Sequence, residues 1–358
     1  VEIADSQPYD LQCEYLQNPL GLDVLQPRLS WKLGTTSLAR GLKQTAYQVL
    51  VSSSQALLDQ DSGDLWNSGT IRSSESVNIT YAGTPLSSGK ACYWKVRFQD
   101  AQGVWSSWSA PAFWRMGLLA DDWAARWIGS AEMEMQSAGG KRVDNKMQDP
   151  WLRKTFTLAD APQDAIMYVA SIGYHELYVN GQKVGDAVLS PSVTDHKSRA
   201  RYMTYDIADY LKPGKNVVAL WLGTSWAVFP AYQREDKPAI PMVLAQLEIS
   251  LSSGKKLQII SDETWKVHAS PNMLTGYWEA HHFAGEFYDA ALEIDGWNEA
   301  SFNDSGWGAA KVYDPAIQVS ADRTEPNRLV EEIKPLSIQE VGPGVYRVDM
   351  GINYTGWV

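Results

Sequence analysis

The side chains best suited to gripping a sugar ring are Tyr174, Glu176, Asn180, Asp195, Arg201, Tyr202, Trp226 and Tyr232. Tyr and Trp lay a flat apolar face on the C–H face of a sugar while keeping a polar tip. Glu, Asp and Arg add charged hydrogen bonds, bidentate in the case of Arg. The chain holds 16 Trp and 17 Tyr, a composition that fits the same chemistry. Each aromatic has a competing use as core filler. Carboxylates such as Glu286 and Asp289 draw attention, but they read as turn or inter-domain hydrogen-bonding groups, and no catalytic residue is assigned.

Two apolar, β-rich runs, Ala165–Val179 and Val217–Trp226, must position these groups. The first leads into Tyr178-Val179-Asn180-Gly181-Gln182. Asn-Gly between alternating residues predicts a hairpin, because both central residues of a type I′ turn need positive φ. The second run comes after Lys212-Pro213-Gly214, a turn by composition. Between the runs, Ser190 to Tyr202 has no period and is rich in aromatic and charged groups. A loop of that kind on a β scaffold is where binding concentrates, and a solvated connection is the alternative reading.

The totals narrow the classes. A chain of 358 residues has room for two or three domains. Its 31 basic and 42 acidic residues give a net charge of −11, which argues against nucleic acid or an anionic membrane as partner. No apolar run is long enough to span a bilayer. The first residue is Val1 and no leader pattern is seen, so the chain reads as a processed secreted protein or one trimmed of its signal. A periplasmic or extracellular setting is expected. Cys13 and Cys92, the only cysteines, are too far apart in sequence for a metal motif. One bridge or two buried free thiols both remain open.

Nearly every periodic segment has period two, so the fold class is all-β. Residues 1–120 read as a fibronectin type III or immunoglobulin-like sandwich, with Trp31, Tyr47, Tyr93 and Val96 as core candidates. A turn is expected at Ser52–Asp61 and a strand at Val104–Ser109. Residues 121–318 read as a jelly-roll, carbohydrate-binding-like sandwich, with short helical runs at Ala208–Leu211 and Tyr288–Leu292. Ser130 to Asp149 reads as an exposed insertion. Residues 319–358 read as the first strands of a truncated third sandwich, since Val358 falls within an apolar strand.

With these segments in place, the chain resembles the N-terminal half of bacterial α-L-rhamnosidases, glycoside hydrolase family 78. The resemblance rests on Leu11-Gln-Cys-Glu-Tyr-Leu, Pro27-Arg-Leu-Ser-Trp31, Tyr93-Trp-Lys-Val-Arg, Leu177-Tyr-Val-Asn-Gly and Ser261-Asp-Glu-Thr-Trp-Lys. Gly285-Glu-Phe-Tyr-Asp289 and Val348-Asp-Met-Gly-Ile-Asn-Tyr-Thr-Gly-Trp-Val358 extend it. It implies hydrolysis of terminal α-L-rhamnose with inversion, by two carboxyl groups spaced to admit water. It also implies that a C-terminal (α/α)₆ barrel of the same protein supplies those groups. The partner is then a rhamnose-containing glycan, and some relatives hold rhamnose with calcium, for which Asn180 and Asp195 would be the hard oxygen ligands here, although nothing in the sequence fixes their separation. The stretch from Leu222-Gly-Thr-Ser-Trp226 through Lys237 is bulkier than the family pattern, so a sugar site there would be reshaped. A stand-alone carbohydrate-binding or adhesion module is the alternative.

Overall fold

A computed structural model of the chain describes residues 6–35, 41–131, 145–229, 236–276 and 285–354, and strand counts refer to these. In the first unit the strands are β1 (Ser6–Cys13), β2 (Leu20–Leu22), β3 (Arg28–Thr35), β4 (Ala46–Ser52), β5 (Trp66–Asn67), β6 (Ile79–Thr80), β7 (Ala91–Gln99) and β8 (Ala112–Met116). They form two sheets, β1-β3-β6 and β2-β8-β7-β4-β5, closed on one core. Trp31, Tyr47 and Val96 lie in that core. Tyr93 does not. Cys92, Trp94, Val96 and Phe98 take the inward positions of β7, and Tyr93 packs half-buried against Phe113 on the other face. Side chains alternate across a strand, so a shift of one residue changes the face. Cys13 and Cys92 are both buried and free in this core.

Two local expectations change. Gln55–Asp59 is a short α-helix, α1, rather than a turn, because Ser54 caps it by accepting the Leu57 N–H at 3.3 Å. Val104–Ser109 is not a strand and makes only an isolated bridge at Trp105. Its two indoles pack on Arg97 instead, with ring centres 4.8 and 4.6 Å from the guanidinium carbon.

The second unit opens with β9 (Trp127–Gly129), β10 (Asn145–Leu158), β11 (Pro162–Ile172), β12 (Tyr174–Val179), β13 (Gln182–Lys183), β14 (Ala187–Val188) and β15 (Arg199–Asp206). It continues with β16 (Gly214–Gly223), β17 (Met242–Leu251), β18 (Lys256–Ile260), β19 (Lys266–Gly276), β20 (Gly285–Tyr288), β21 (Gly308–Ala309), β22 (Lys311–Tyr313), β23 (Gln318–Ala321) and β24 (Asn327–Arg328). One seven-stranded sheet runs β13-β12-β16-β10-β19-β20, with β21 on β19. The other runs β22-β9-β17-β11-β15-β23, with β18 on β17. The expected helical runs are single 3-10 turns, Ala208–Tyr210 and Ala290–Leu292. A last hairpin joins β25 (Ser337–Gly342) and β26 (Val345–Asp349).

The run Ala165–Val179 is therefore two strands in opposite sheets. The chain crosses between them at Gly173, whose φ is +92° and where a Cβ would sit 2.3 Å from the Gly223 carbonyl oxygen. Only glycine accepts both conditions. Met167, Val169, Leu177, Val179, Leu220 and Leu247 fill the space between the sheets. Each such side chain stabilises the sandwich by roughly 1.5–3 kcal/mol on burial.

Both sheets also bury part of their outer faces. On one, Ile166, Tyr168, Ala170 and Tyr202 meet Leu118 and Trp123 of the connector from the first unit, and Trp127 at the start of β9. On the other, Trp151 stacks on Trp297 at 4.6 Å, and Trp307 joins them. Arg153, fully buried, ion-pairs with Asp304 and donates to the Glu299 carbonyl at 2.7 Å, which pins the covering segment. Much of the tryptophan content is therefore core.

Candidate functional site

Alternation along β12 sends His175, Leu177 and Val179 inward and Tyr174, Glu176 and Tyr178 outward. Tyr174 accepts the indole N–H of Trp226 at 3.0 Å, from the 3-10 turn after β16. Glu176 accepts the Tyr178 hydroxyl at 2.6 Å and ion-pairs with Lys183 across the hairpin. Trp221 stands opposite Glu176 on β16 and donates to Ser270 at 3.1 Å. Partly exposed rings held at their edges thus flank a carboxylate, an arrangement suited to stacking on a sugar and accepting its hydroxyls.

Beneath this face the buried side is polar but closed. His175 meets the Ser171 hydroxyl through Nδ1 and the Tyr205 hydroxyl through Nε2, each at 2.9 Å. Burial pushes the imidazole down to about 3, so it is neutral. Ser171 and His175 are 1% and 4% exposed, so this serine–histidine pair is a strut and not a nucleophile. Nearby, Asp149 accepts the Thr224 N–H at 2.7 Å and the Asn272 amide at 2.6 Å. Burial raises its pKa to about 6.

The other expected residues fall elsewhere. Asn180 has φ of +50° and Gly181 +87°, forming the expected two-residue turn between β12 and β13. Its amide donates to the Tyr210 carbonyl and Asn216, and its oxygen accepts the Val217 N–H. Asp195 is exposed and caps its own turn through the Lys197 N–H. Asn180 and Asp195 share no partner, and among the described residues no group of three or more His, Cys, Asp or Glu is placed to hold a metal. The Asn180 oxygen is taken by the Val217 N–H and Asp195 caps a separate turn, so no shared contact joins the two. Tyr202 is buried, with its hydroxyl on the Leu118 carbonyl at 3.0 Å. Tyr232 lies outside the described residues. The structure thus brings Tyr174, Glu176 and Trp226 to one face and separates Asn180 and Tyr202 from it by function.

Arg201 belongs to a different cluster. Its guanidinium reaches Ser192 at 2.7 Å, Asp322 at 3.1 Å and Thr324 at 2.5 Å. Burial opposes the charge of Asp322, but the donors of Ser192 and Thr324 outweigh it and hold the carboxyl below its ordinary range. This cluster adjoins the seam between the two units, where Arg115 pairs with Asp164 and the Ala321 N–H binds Asp23 at 2.9 Å. Across the seam stands a turn built from Glu14 and Tyr15, with φ of +51° and +67°. Cys13 and Leu16 exchange both backbone bonds around it, at 2.9 and 3.0 Å. Left-handed backbone costs a residue with a Cβ about 1–2 kcal/mol. Asn-Gly would relieve that strain, yet this turn carries Glu and Tyr. The sequence gives none of Glu14, Tyr15, Asp23 or Asp322 a site role, because the cluster converges from segments some 300 positions apart. The left-handed turn has no local composition signal.

Comparison with known proteins places this architecture. Residues 160–331 match the model of the "Alpha-L-rhamnosidase N-terminal domain", and residues 8–120 match that of the "Rha78A-like, N-terminal immunoglobulin domain". The chain belongs to the α-L-rhamnosidases of glycoside hydrolase family 78, as their N-terminal domains. An α-L-rhamnosidase from Formosa agariphila is 31% identical over 95% of this chain and 37% of its own length. The structure of the α-L-rhamnosidase from Dictyoglumus thermophilum superposes with a TM-score of 0.87 at 36% identity, covering 98% of this chain and 39% of that one. A Streptomyces avermitilis α-L-rhamnosidase complexed with L-rhamnose shares the fold, with a TM-score of 0.83 at 24% identity, covering 97% of this chain and 49% of that one. The chain therefore spans less than half the length of these rhamnosidases. Among the described residues no helix is long and apolar enough to cross a membrane.

Proposed function

We propose that this chain is the non-catalytic N-terminal part of an extracellular or periplasmic α-L-rhamnosidase that works with inversion. It would present a rhamnose-containing glycan to a catalytic domain elsewhere in the same protein. One observation carries the reading: nearly the whole chain superposes on a rhamnosidase of which it spans 39%. In this reading 1–120 is an immunoglobulin-like spacer, 121–318 carries the glycan-facing sandwich, and 319–358 opens a further β domain.

The carboxyl chemistry points the same way. An inverting glycosidase needs one carboxyl kept protonated as an acid. Arg28 holds the Glu14 carboxyl below its ordinary range, so Glu14 is a poor acid. Asp149 has a raised pKa, but it is 2% exposed and its oxygens are taken by Thr224 and Asn272. Tyr174, Glu176 and Trp226 offer the best surface for a rhamnose ring, which also favours the alternative of a stand-alone carbohydrate-binding module.

The test is hydrolysis of an aryl α-L-rhamnoside. The chain alone should release no aryl alcohol, while a polypeptide that adds the catalytic domain should do so with inverted product. Steady turnover by this chain would refute the non-catalytic role.

A further inference from the structure

A cleft of about 520 Å³ opens along the seam between the two units. That volume is within the range of sites for small molecules. Arg28, Arg199, Arg201 and Arg323 line it, together with the carboxylates of Glu14 and Asp23. Asp322 lies behind Arg201. The surroundings therefore hold one more positive than negative charge, on a chain whose net charge is −11.

The arginines are not equally committed. Arg28 grips Glu14 through Nε at 3.0 Å and a terminal nitrogen at 2.7 Å. Arg201 is shared among Asp322, Ser192 and Thr324. Arg323 is half-exposed and approaches Glu14 only to 3.5 Å. Arg199 is exposed and meets no carboxylate among the described residues. Two guanidiniums thus keep donors for an anion. The strained Glu14-Tyr15 turn holds a half-exposed phenol ring at the same cleft, and strain of this kind persists where surrounding structure demands it.

We propose that this cleft binds an acidic saccharide. Arg199 and Arg323 take its carboxylate or sulfate. Asp23 and Thr324 meet its hydroxyls, and Tyr15 lies against its ring. A single excess positive charge matches a monoanionic sugar rather than a phosphate-dense polymer. The inference rests on the carbohydrate-directed reading above and narrows the glycan to one that carries acid groups beside rhamnose.

The test is calorimetric titration of the chain at low and high salt with methyl β-D-glucuronide, glucose 6-sulfate, methyl β-D-glucoside and inorganic sulfate. An acidic sugar should bind, the neutral glucoside should not, and salt should weaken the binding. Which acidic sugar binds identifies the anion. Arg199→Gln and Arg323→Gln should each weaken it about tenfold or more with unchanged thermal unfolding. Absence of binding by both acidic sugars, or binding that survives both substitutions, overturns the proposal. Inorganic sulfate binding as tightly as the sugar overturns the saccharide assignment. L-Rhamnose titrated in parallel reports on the Tyr174–Trp226 face alone, so failure there is separable from failure here.

Discussion

The buried imidazole of His175 makes the second sandwich sensitive to acid in a way that one substitution should remove. Its pKa is pushed from the ordinary 6.5 down to about 3 by burial. As pH falls through 6.5 the unfolded chain takes up this proton, while the folded chain does not until about 3. Within that window the unfolded state binds more protons, so acidification weakens the fold by up to about 1.4 kcal/mol per pH unit. Between pH ~6.5 and ~4.5 the loss from His175 is about 2.3 kcal/mol. His196, lowered to about 4 by burial, adds a loss of the same sign. Asp149 acts in the opposite direction. Its carboxyl is raised to about 6, so the folded state takes a proton first and gains about 2 kcal/mol over the same range. His175→Asn weakens the protein at every pH, because the Ser171 and Tyr205 hydroxyls lose their shared partner. The diagnostic quantity is the slope. Urea unfolding at pH ~6.5 and ~4.5 should show the acid penalty smaller in the variant by about 2.3 kcal/mol. Equal penalties in the two proteins, or a His175 proton resonance titrating at the ordinary value, would show that the imidazole is not held neutral by burial.

The seam, the core and the outer face each carry a further consequence. A Cβ at Gly117 would sit 2.0 Å from the Tyr202 hydroxyl and 2.9 Å from the Gly21 carbonyl. Gly117→Ala should therefore cost about 1–3 kcal/mol and make the connector easier to cut in limited proteolysis. Wild-type unfolding and cleavage would contradict the close approach. Burial pushes the Cys92 thiol up to about 12 and Cys13 further still. Both should resist a thiol reagent until urea unfolds the first sandwich, and rapid native labelling would refute their burial. Trp226→Ala should lower affinity for a rhamnose-containing glycan about tenfold with little change in melting temperature. Unchanged affinity would remove Trp226 from the sugar face.

Strand periodicity made the all-β class legible. The Asn180-Gly181 turn is a local signal, and the β12–β13 hairpin formed where it pointed. Facing was less legible. Tyr93 and Trp94 are adjacent and both apolar, so only packing against Trp31 and Trp114 decided that Trp94 went inward. The same limit applies to Ala165–Val179. The run reads as one β segment, but Gly173 and its contact with Gly223 decided that it crosses between sheets. Of the candidate site residues, Tyr174, Glu176 and Trp226 share one outer face of the second unit. Composition could not show that Asn180 is spent on the hairpin or that Tyr202 is buried at the seam. The arginine cleft was invisible to it, because Arg28, Arg199 and Arg323 become neighbours only when the two sandwiches dock. Sequence determines what each strand can hydrogen-bond and bury, since those forces act over a few residues. Which charges from distant segments must share one space is decided by the packing of the whole chain.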